Sequence, residues 1–229
     1  MNILIIGATS AVAQCFALRA KKRGDRLYCV ARSEDKLQKL GQDLGETMVG
    51  SRCYDFLDYE RAPRVIEEAY ATLGQIDRVL FAQGLLPNQE ETEHDFISFE
   101  RTISVNLLSV VALLNPLHKR LSAQQTPSKV AVITSVAGDR GRPRNFSYGA
   151  AKGGLGLYLQ GLRSKQWKGH VELYTVKLGP TESPMTIDHE KNGTFITADK
   201  AAELIDRGMR SRRYELYVPG FWRMIMLAV

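Results

Sequence analysis

The sequence predicts an α/β fold: a doubly wound parallel sheet of about seven strands with helices on both faces, in three layers. Three observations predict it. Short apolar, β-branched runs alternate with longer segments of helical spacing along the chain. Neither an internal repeat nor a Pro/Gly/Ser-rich linker breaks that alternation, so residues 1–229 read as one domain. The chain has 229 residues, 44% of them hydrophobic. A chain of that size buries roughly 70% of its unfolded surface on folding, enough for a sizeable core and a deep pocket.

Ile3 to Ile6 is an unbroken apolar run stopped by Gly7, and reads as the first strand. Ala11 to Arg23 then has helical spacing and closes on Lys21, Lys22 and Arg23, cations that suit a helix carboxyl end. Leu27 to Ala31 with Glu34 to Leu44, and Val49 to Tyr54 with Tyr59 to Leu73, repeat the strand-then-helix pair. Val79 to Ala82 is the fourth strand, followed by the apolar helical segment Glu100 to Leu121. Val130 to Ser135 leads into Ser147 to Lys168, and Glu172 to Lys177 into Asp199 to Arg210. Glu215 to Val218 is the last strand. Such alternation implies right-handed crossovers, with ligand-binding residues just past strands one, two, four, five and six.

Composition narrows the classes further. Thirty-one Lys and Arg against 25 Asp and Glu give a net charge of +6, which suits an anionic ligand, an acidic lipid surface or nucleic acid. No aromatic-flanked basic stripe or recognition motif supports the last, so nucleic acid is not expected as a partner. Cys15, Cys29 and Cys53 are isolated, without metal or redox spacing, and the four histidines are scattered; no metal is expected and a reduced cytoplasmic setting is. No apolar run approaches the roughly 18 to 20 residues that span a bilayer, and the apolar start lacks the basic flank of an export signal.

Gly7-Ala8-Thr9-Ser10-Ala11-Val12-Ala13 turns from the first strand into a helix. A glycine there lets backbone N–H groups and a helix N-terminus face a pyrophosphate, with Gly7, Thr9, Ser10 and Val12 as the contacts, although an ordinary strand–helix loop would look the same. After strand two, Arg32 stands where NAD sites place an acid for the ribose hydroxyls; a guanidinium instead favours a 2′-phosphate, hence NADP(H) over NAD(H). Asp55, after strand three, is placed to touch the adenine edge or to cap a loop. Tyr148 and Lys152 stand four apart and share one helix face, where an ammonium would favour a phenolate for acid–base work. Ser135 ends strand five and can offer its hydroxyl to the same substrate oxygen, while Asn106 is a polar group in an apolar helix.

Taken together, Gly7, Arg32, Gly84, Asn106, Ser135, Tyr148 and Lys152 occur in an order and spacing that resembles the short-chain dehydrogenase/reductase superfamily over the whole chain. The resemblance implies a Rossmann-type NAD(P)(H)-dependent oxidoreductase acting on a carbonyl or alcohol. Tyr148 would be the general acid/base, and Lys152 would lower its pKa and bind the nicotinamide ribose. Ser135 would orient the substrate, and Asn106 would hold a relay water. Ala82, Gly84 and Thr181 join the cofactor contacts. A homodimer or homotetramer is implied, through the helices Glu100 to Leu121 and Ser147 to Lys168.

Departures from the family pattern matter too. Only Gly7 of the three glycines is kept, with Ala11 and Ala13 in the other places. Phe81-Ala82-Gln83-Gly84 replaces the usual Asn-Asn-Ala-Gly, and Leu178-Gly179 the usual Pro-Gly. A non-catalytic NADP(H)-binding sensor of the same fold is therefore the alternative function.

Arg140, Arg142 and Arg144, between Ser135 and Tyr148, suit a phosphate on the substrate. Pro184 to Ile196 reads as a lid over the substrate. The apolar tail, residues 219–229, could pack within the protein, cover the pocket, meet a second subunit or touch a membrane surface as a peripheral contact. The Gly7-Ala8-Thr9-Ser10 start, the Phe81-Ala82-Gln83-Gly84 turn, the loop from Ser135 through Gly141 and this tail together resemble the bacterial branch that includes the decaprenylphosphoryl-ribose 2-keto reductase. That branch implies a phosphorylated or lipid-linked sugar as substrate.

Overall fold

The computed structural model describes residues 1–166, 169–186 and 193–228. Its strands are β1 (Asn2–Ile6), β2 (Arg26–Ala31), β3 (Met48–Cys53), β4 (Arg78–Phe81), β5 (Ser128–Ser135), β6 (Val171–Leu178) and β7 (Glu215–Val218). They form one parallel sheet in the order β3-β2-β1-β4-β5-β6-β7. The helices are α1 (Ala11–Lys22), α2 (Glu34–Leu44), α3 (Ala62–Leu73), α4 (Gln89–His94), α5 (Phe96–Ile103), α6 (Ser109–Ala123), α7 (Phe146–Lys165), α8 (Ala198–Gly208) and α9 (Trp222–Ala228). The fold class is the one expected, and the ends of the elements differ from the sequence reading by about a turn or less. Residues 167–168 of the helix expected to reach Lys168 lie outside the described residues.

Both faces of the sheet are covered, so the inner strands carry apolar residues at every position rather than alternating ones. On β1, Leu4 and Ile6 join a core under α3, α6 and α7 with Val79, Leu113 and Leu155, while Ile3 and Ile5 join a second core with Phe16, Leu37 and Ile205. Side-chain caps start several helices: Ser10 accepts from the Ala13 N–H, Ser33 from Lys36 and Thr197 from Lys200.

Two helices were not legible in the sequence. α4 has the polar sequence QEETEH and no apolar periodicity, yet Gln89 and Thr92 are buried, hydrogen-bonded to Ser147 on α7. The tail helix α9 has only seven residues. It turns Trp222 and Met226 inward against Val136 and leaves Phe221, Met224 and Leu227 at the surface.

α5 and α6 run on as one helix, Phe96–Ala123, through a π-helical turn at Ser104–Leu108. By length and composition this 28-residue helix is apolar enough to cross a membrane, which the sequence reading did not foresee. Its apolar stripe has another use: Val110, Leu113, Leu114, Leu117 and Leu121 are buried in the core beneath the sheet.

Strand order reverses between β1 and β4. Loops leaving these neighbouring strands go to opposite faces, which opens a crevice at the carboxyl ends. The candidate site lies there.

Candidate active site

Gly7 sits at that reversal with φ +79°, and a Cβ on it would stand 2.3 Å from the Gln83 nitrogen. Only glycine allows both the left-handed turn and the close pass of β1 beside β4. Ala11 and Ala13 lie inside α1, where a methyl group costs nothing, so losing those two glycines leaves the turn intact. The turn opens into a cavity of about 430 Å³ along the carboxyl ends of the strands. Gly7, Thr9, Ser10, Val12, Arg32, Ala82, Gly84, Ser135, Tyr148, Lys152 and Thr181 all line it.

Two expected site residues lie elsewhere. Asp55 is exposed and outside the cavity; its carboxylate accepts from the Leu57 N–H at 3.1 Å, closing a turn, and the next residue, Phe56, lines the cavity instead. Of its two sequence readings, the geometry shows the loop cap. Asn106 is fully buried behind the cavity wall, in the π turn. Its Nδ2 donates to the carbonyls of Thr102 (2.9 Å) and Leu85 (2.7 Å), and its Oδ1 accepts from the Leu85 N–H (3.1 Å). A Cβ on Gly84 would stand 3.2 Å from that Oδ1 and 3.7 Å from Lys152 Nζ, so Gly84 lies directly over both.

At the middle of the cavity Ser135, Tyr148 and Lys152 converge. Ser135 ends β5, donates to the Leu178 carbonyl (3.3 Å), accepts from the Ala137 N–H (3.1 Å) and is hydrogen-bonded to Tyr148. One turn along α7 from Tyr148, the Lys152 ammonium donates to the Ile133 carbonyl (3.1 Å) and lies 5.7 Å from the Tyr148 ring centroid. α7 can press this close because Gly149 and Gly153 each face a carbonyl oxygen at 2.6–2.7 Å from where a Cβ would be. Burial dominates the titration of both groups: it pushes the Tyr148 phenol up to about 12, the Ser135 hydrogen bond opposing, and the Lys152 ammonium down to about 8.

At one end, Arg32 and Lys36 line the cavity and have no carboxylate partner among the described residues. Arg142 lines the other end. It is held softly, with its guanidinium 5.6 Å from the Trp222 ring and an Nη donating to Met226 Sδ at 3.4 Å. Arg144 is exposed and Arg140 donates to the Asp139 carbonyl, so one of the three loop arginines reaches the cavity. The loop carrying them is tied down by Asp139, which pairs with Lys177 (2.8 Å) and accepts from Tyr217 (2.9 Å). Of the expected lid, Pro184, Met185 and Thr186 form a short helical turn on the cavity wall and Ile196 bridges Thr181; residues 187–192 lie outside the described residues. Lys36, Phe56, Gln83 and Asn145 also line the cavity and were not singled out as site residues. Asn145 sits beside Phe146, where α7 begins, a position the strand–loop–helix spacing could have flagged.

Fold and cavity together define a dinucleotide-binding enzyme with its chemistry at the sheet's switch point. Residues 1–193 match the model of the short chain dehydrogenase family. An uncharacterized oxidoreductase of Streptomyces coelicolor is 29% identical over 233 residues, covering 100% of this chain and 91% of that one. Benzil reductase ((S)-benzoin forming) of Saccharomyces cerevisiae is 25% identical over 193 residues, 81% of this chain and 73% of that protein. Among solved structures, a short chain dehydrogenase from Burkholderia cenocepacia in complex with NADP superposes with a TM-score of 0.87 at 17% identity, over 99% of this chain and 91% of that one. The chain belongs to the short chain dehydrogenase family and is an oxidoreductase.

Proposed function

We propose that this enzyme interconverts a carbonyl and an alcohol with NADP(H) preferred over NAD(H), using Tyr148 as acid/base, Ser135 to orient the substrate oxygen and Lys152 to hold cofactor and charge. The observation that carries the reading is the convergence of Ser135, Tyr148 and Lys152 on one cavity wall, with Ser135 hydrogen-bonded to the phenol. The cavity suits the cofactor. Gly7 presents a turn that a Cβ would fill, α1 aims its N-terminus into the cavity, and Arg32 with Lys36 offers unpaired positive charge for a 2′-phosphate.

When bound, the nicotinamide supplies hydride in reduction and accepts it in oxidation. In reduction, the Tyr148 Oη–H gives its proton to the substrate oxygen as that oxygen gains charge, and Ser135 Oγ–H donates a hydrogen bond to the same atom. A phenol held near 12 is fully protonated at neutral pH, so it is ready to act as the acid. Lys152 stabilises the phenolate left behind and passes it a proton, which is made good from solvent at Lys152; Asn106, with Gly84 over it, lies beside that ammonium.

A phosphate-bearing substrate, such as a phosphorylated or lipid-linked sugar, is part of the proposal, supported by Arg142 at the end of the cavity away from Arg32. A homodimer or homotetramer through α5–α6 and α7 is supported by the exposed Leu108 and Leu157 on those helices. A cytoplasmic location is supported by three free thiols. The test is NADPH-dependent reduction of a ketone panel headed by benzil. Wild type turns over at least one member and Ser135→Ala loses about a hundredfold in kcat/KM. Tight NADPH binding with no turnover of any member would favour the sensor.

A further inference from the structure

Gln83 follows β4 at the centre of the cleft, and its side-chain amide is without a partner. The residue is 6% exposed, and neither Nε2 nor Oε1 has a hydrogen-bond partner in the structure. Among the described residues, Gln83 is the one with both ends of a buried amide unbonded; Asn145 and Gln166 each leave one atom without a partner, and two other amides bond at both ends. Gln124 accepts from the Ile76 N–H (3.0 Å) and donates to the Ile76 carbonyl and Ser128, and buried Gln89 donates to Ser147 Oγ while accepting from the Ser147 N–H. A buried amide bonded at neither end is costly, and the chain's own hydrogen bonds do not explain it. Its position offers one. The Gln83 backbone is pressed against Gly7 of the phosphate-facing turn, its neighbour Gly84 lies over Lys152 and Asn106, and Gln83 itself lines the cavity between them.

We propose that Gln83 is a cofactor-binding residue: its amide turns into the cavity to hydrogen-bond a hydroxyl group on the central, ribose-bearing stretch of the nicotinamide dinucleotide. The inference rests on the reading of the cleft as an NADP(H) site. An amide offers one acceptor and two donors, which matches a sugar hydroxyl that both gives and takes a hydrogen bond; a phosphate oxygen only accepts. The amide atoms are closed off from solvent, so binding requires rotation about the outer torsions, a small motion for a side chain on the cavity wall. At this place the family usually carries Ala, which has no polar group to satisfy. This chain therefore trades stability of the empty enzyme for affinity in the loaded one.

Gln83→Met keeps the volume and removes the polarity; Gln83→Ala restores the smaller residue and serves if the methionine variant does not fold. Two quantities are read without any substrate: the Kd for NADPH by titration, and Tm of the cofactor-free protein. Binding weakens about tenfold in either variant, while cofactor-free Gln83→Met melts about 3 °C higher than wild type or more. A purely structural amide would do the reverse, lowering Tm and leaving Kd alone. NADPH affinity within about twofold of wild type in the variants overturns the role of Gln83 and leaves the cofactor reading standing. A wild-type protein that does not bind NADPH overturns both.

Discussion

The two ends of the sheet treat charge in opposite ways. At the amino ends of the strands, Asp25 and Asp206 are both buried, and cations surround them. Asp25 pairs with Arg23 (2.8 Å) and the chain's N-terminal ammonium (3.0 Å), and Asp206 with Arg78 (2.8 Å), Arg23 (3.4 Å) and Arg210. At the carboxyl ends, Arg32, Lys36, Arg142 and Lys152 line the cavity with no carboxylate partner among the described residues, and the Gln83 amide stands open among them. Paired charges that tie β1, β4 and α8 together serve stability, since removing one partner strands the rest in a buried site. Unpaired cations around a concave surface serve a ligand. The difference explains the net charge of +6 better than composition could: where the excess sits matters more than its size.

Substitutions at each end should therefore separate stability from binding. The largest effect expected is from Asp206→Ala, which leaves the buried Arg78 guanidinium without its carboxylate while Arg23 keeps Asp25, and costs about 3–5 kcal/mol. Thermal melts would show Tm down by roughly 10 °C, with turnover per folded molecule unchanged. Gly7→Ala puts a methyl group on a φ of +79° and into the Gln83 backbone. It costs at least about 2 kcal/mol and, being at the cavity, also weakens NADPH binding in a titration. Arg32→Ala leaves Tm alone and lowers the NADPH-over-NADH preference about tenfold, as measured by the two Kd values. The smallest effect is on pH. Lys152 titrates near 8 in the empty cleft, so its positive charge, present below that pH, fades as pH rises through it. kcat/KM for reduction should fall over the same range, and oxidation should gain.

Much of this was legible in the sequence because the signals were periodic or punctuated. Buried strands such as β1 are unbroken apolar runs, and Gly7 marks the strand–helix turn at the site of closest backbone approach. Ser135, Tyr148 and Lys152 were readable only as a set: four-residue spacing is common by chance, and it is their order with Gly7, Arg32 and Asn106 that resembles the family. What escaped lacked a local signature. α4 is polar and is stabilised by hydrogen bonds to a helix more than fifty residues away. Asp55 kept two readings in the sequence because only the phase of the loop after β3 decides whether residue 55 or 56 faces inward. Gln83 was visible as a departure from the family pattern, but the lack of a partner for its amide depends on packing from β1 and is a property of three dimensions.

On the proposed function, the carboxyl-end cluster does chemistry and contributes little to folding. Tyr148→Phe tests it in one protein, with Tm, NADPH Kd and reduction of the wild type's best carbonyl substrate all measured on the same preparation. Tm and Kd should stay close to wild type while turnover falls by about two to four orders of magnitude. Retained turnover, or a loss of turnover that tracks a loss of Tm, would contradict it.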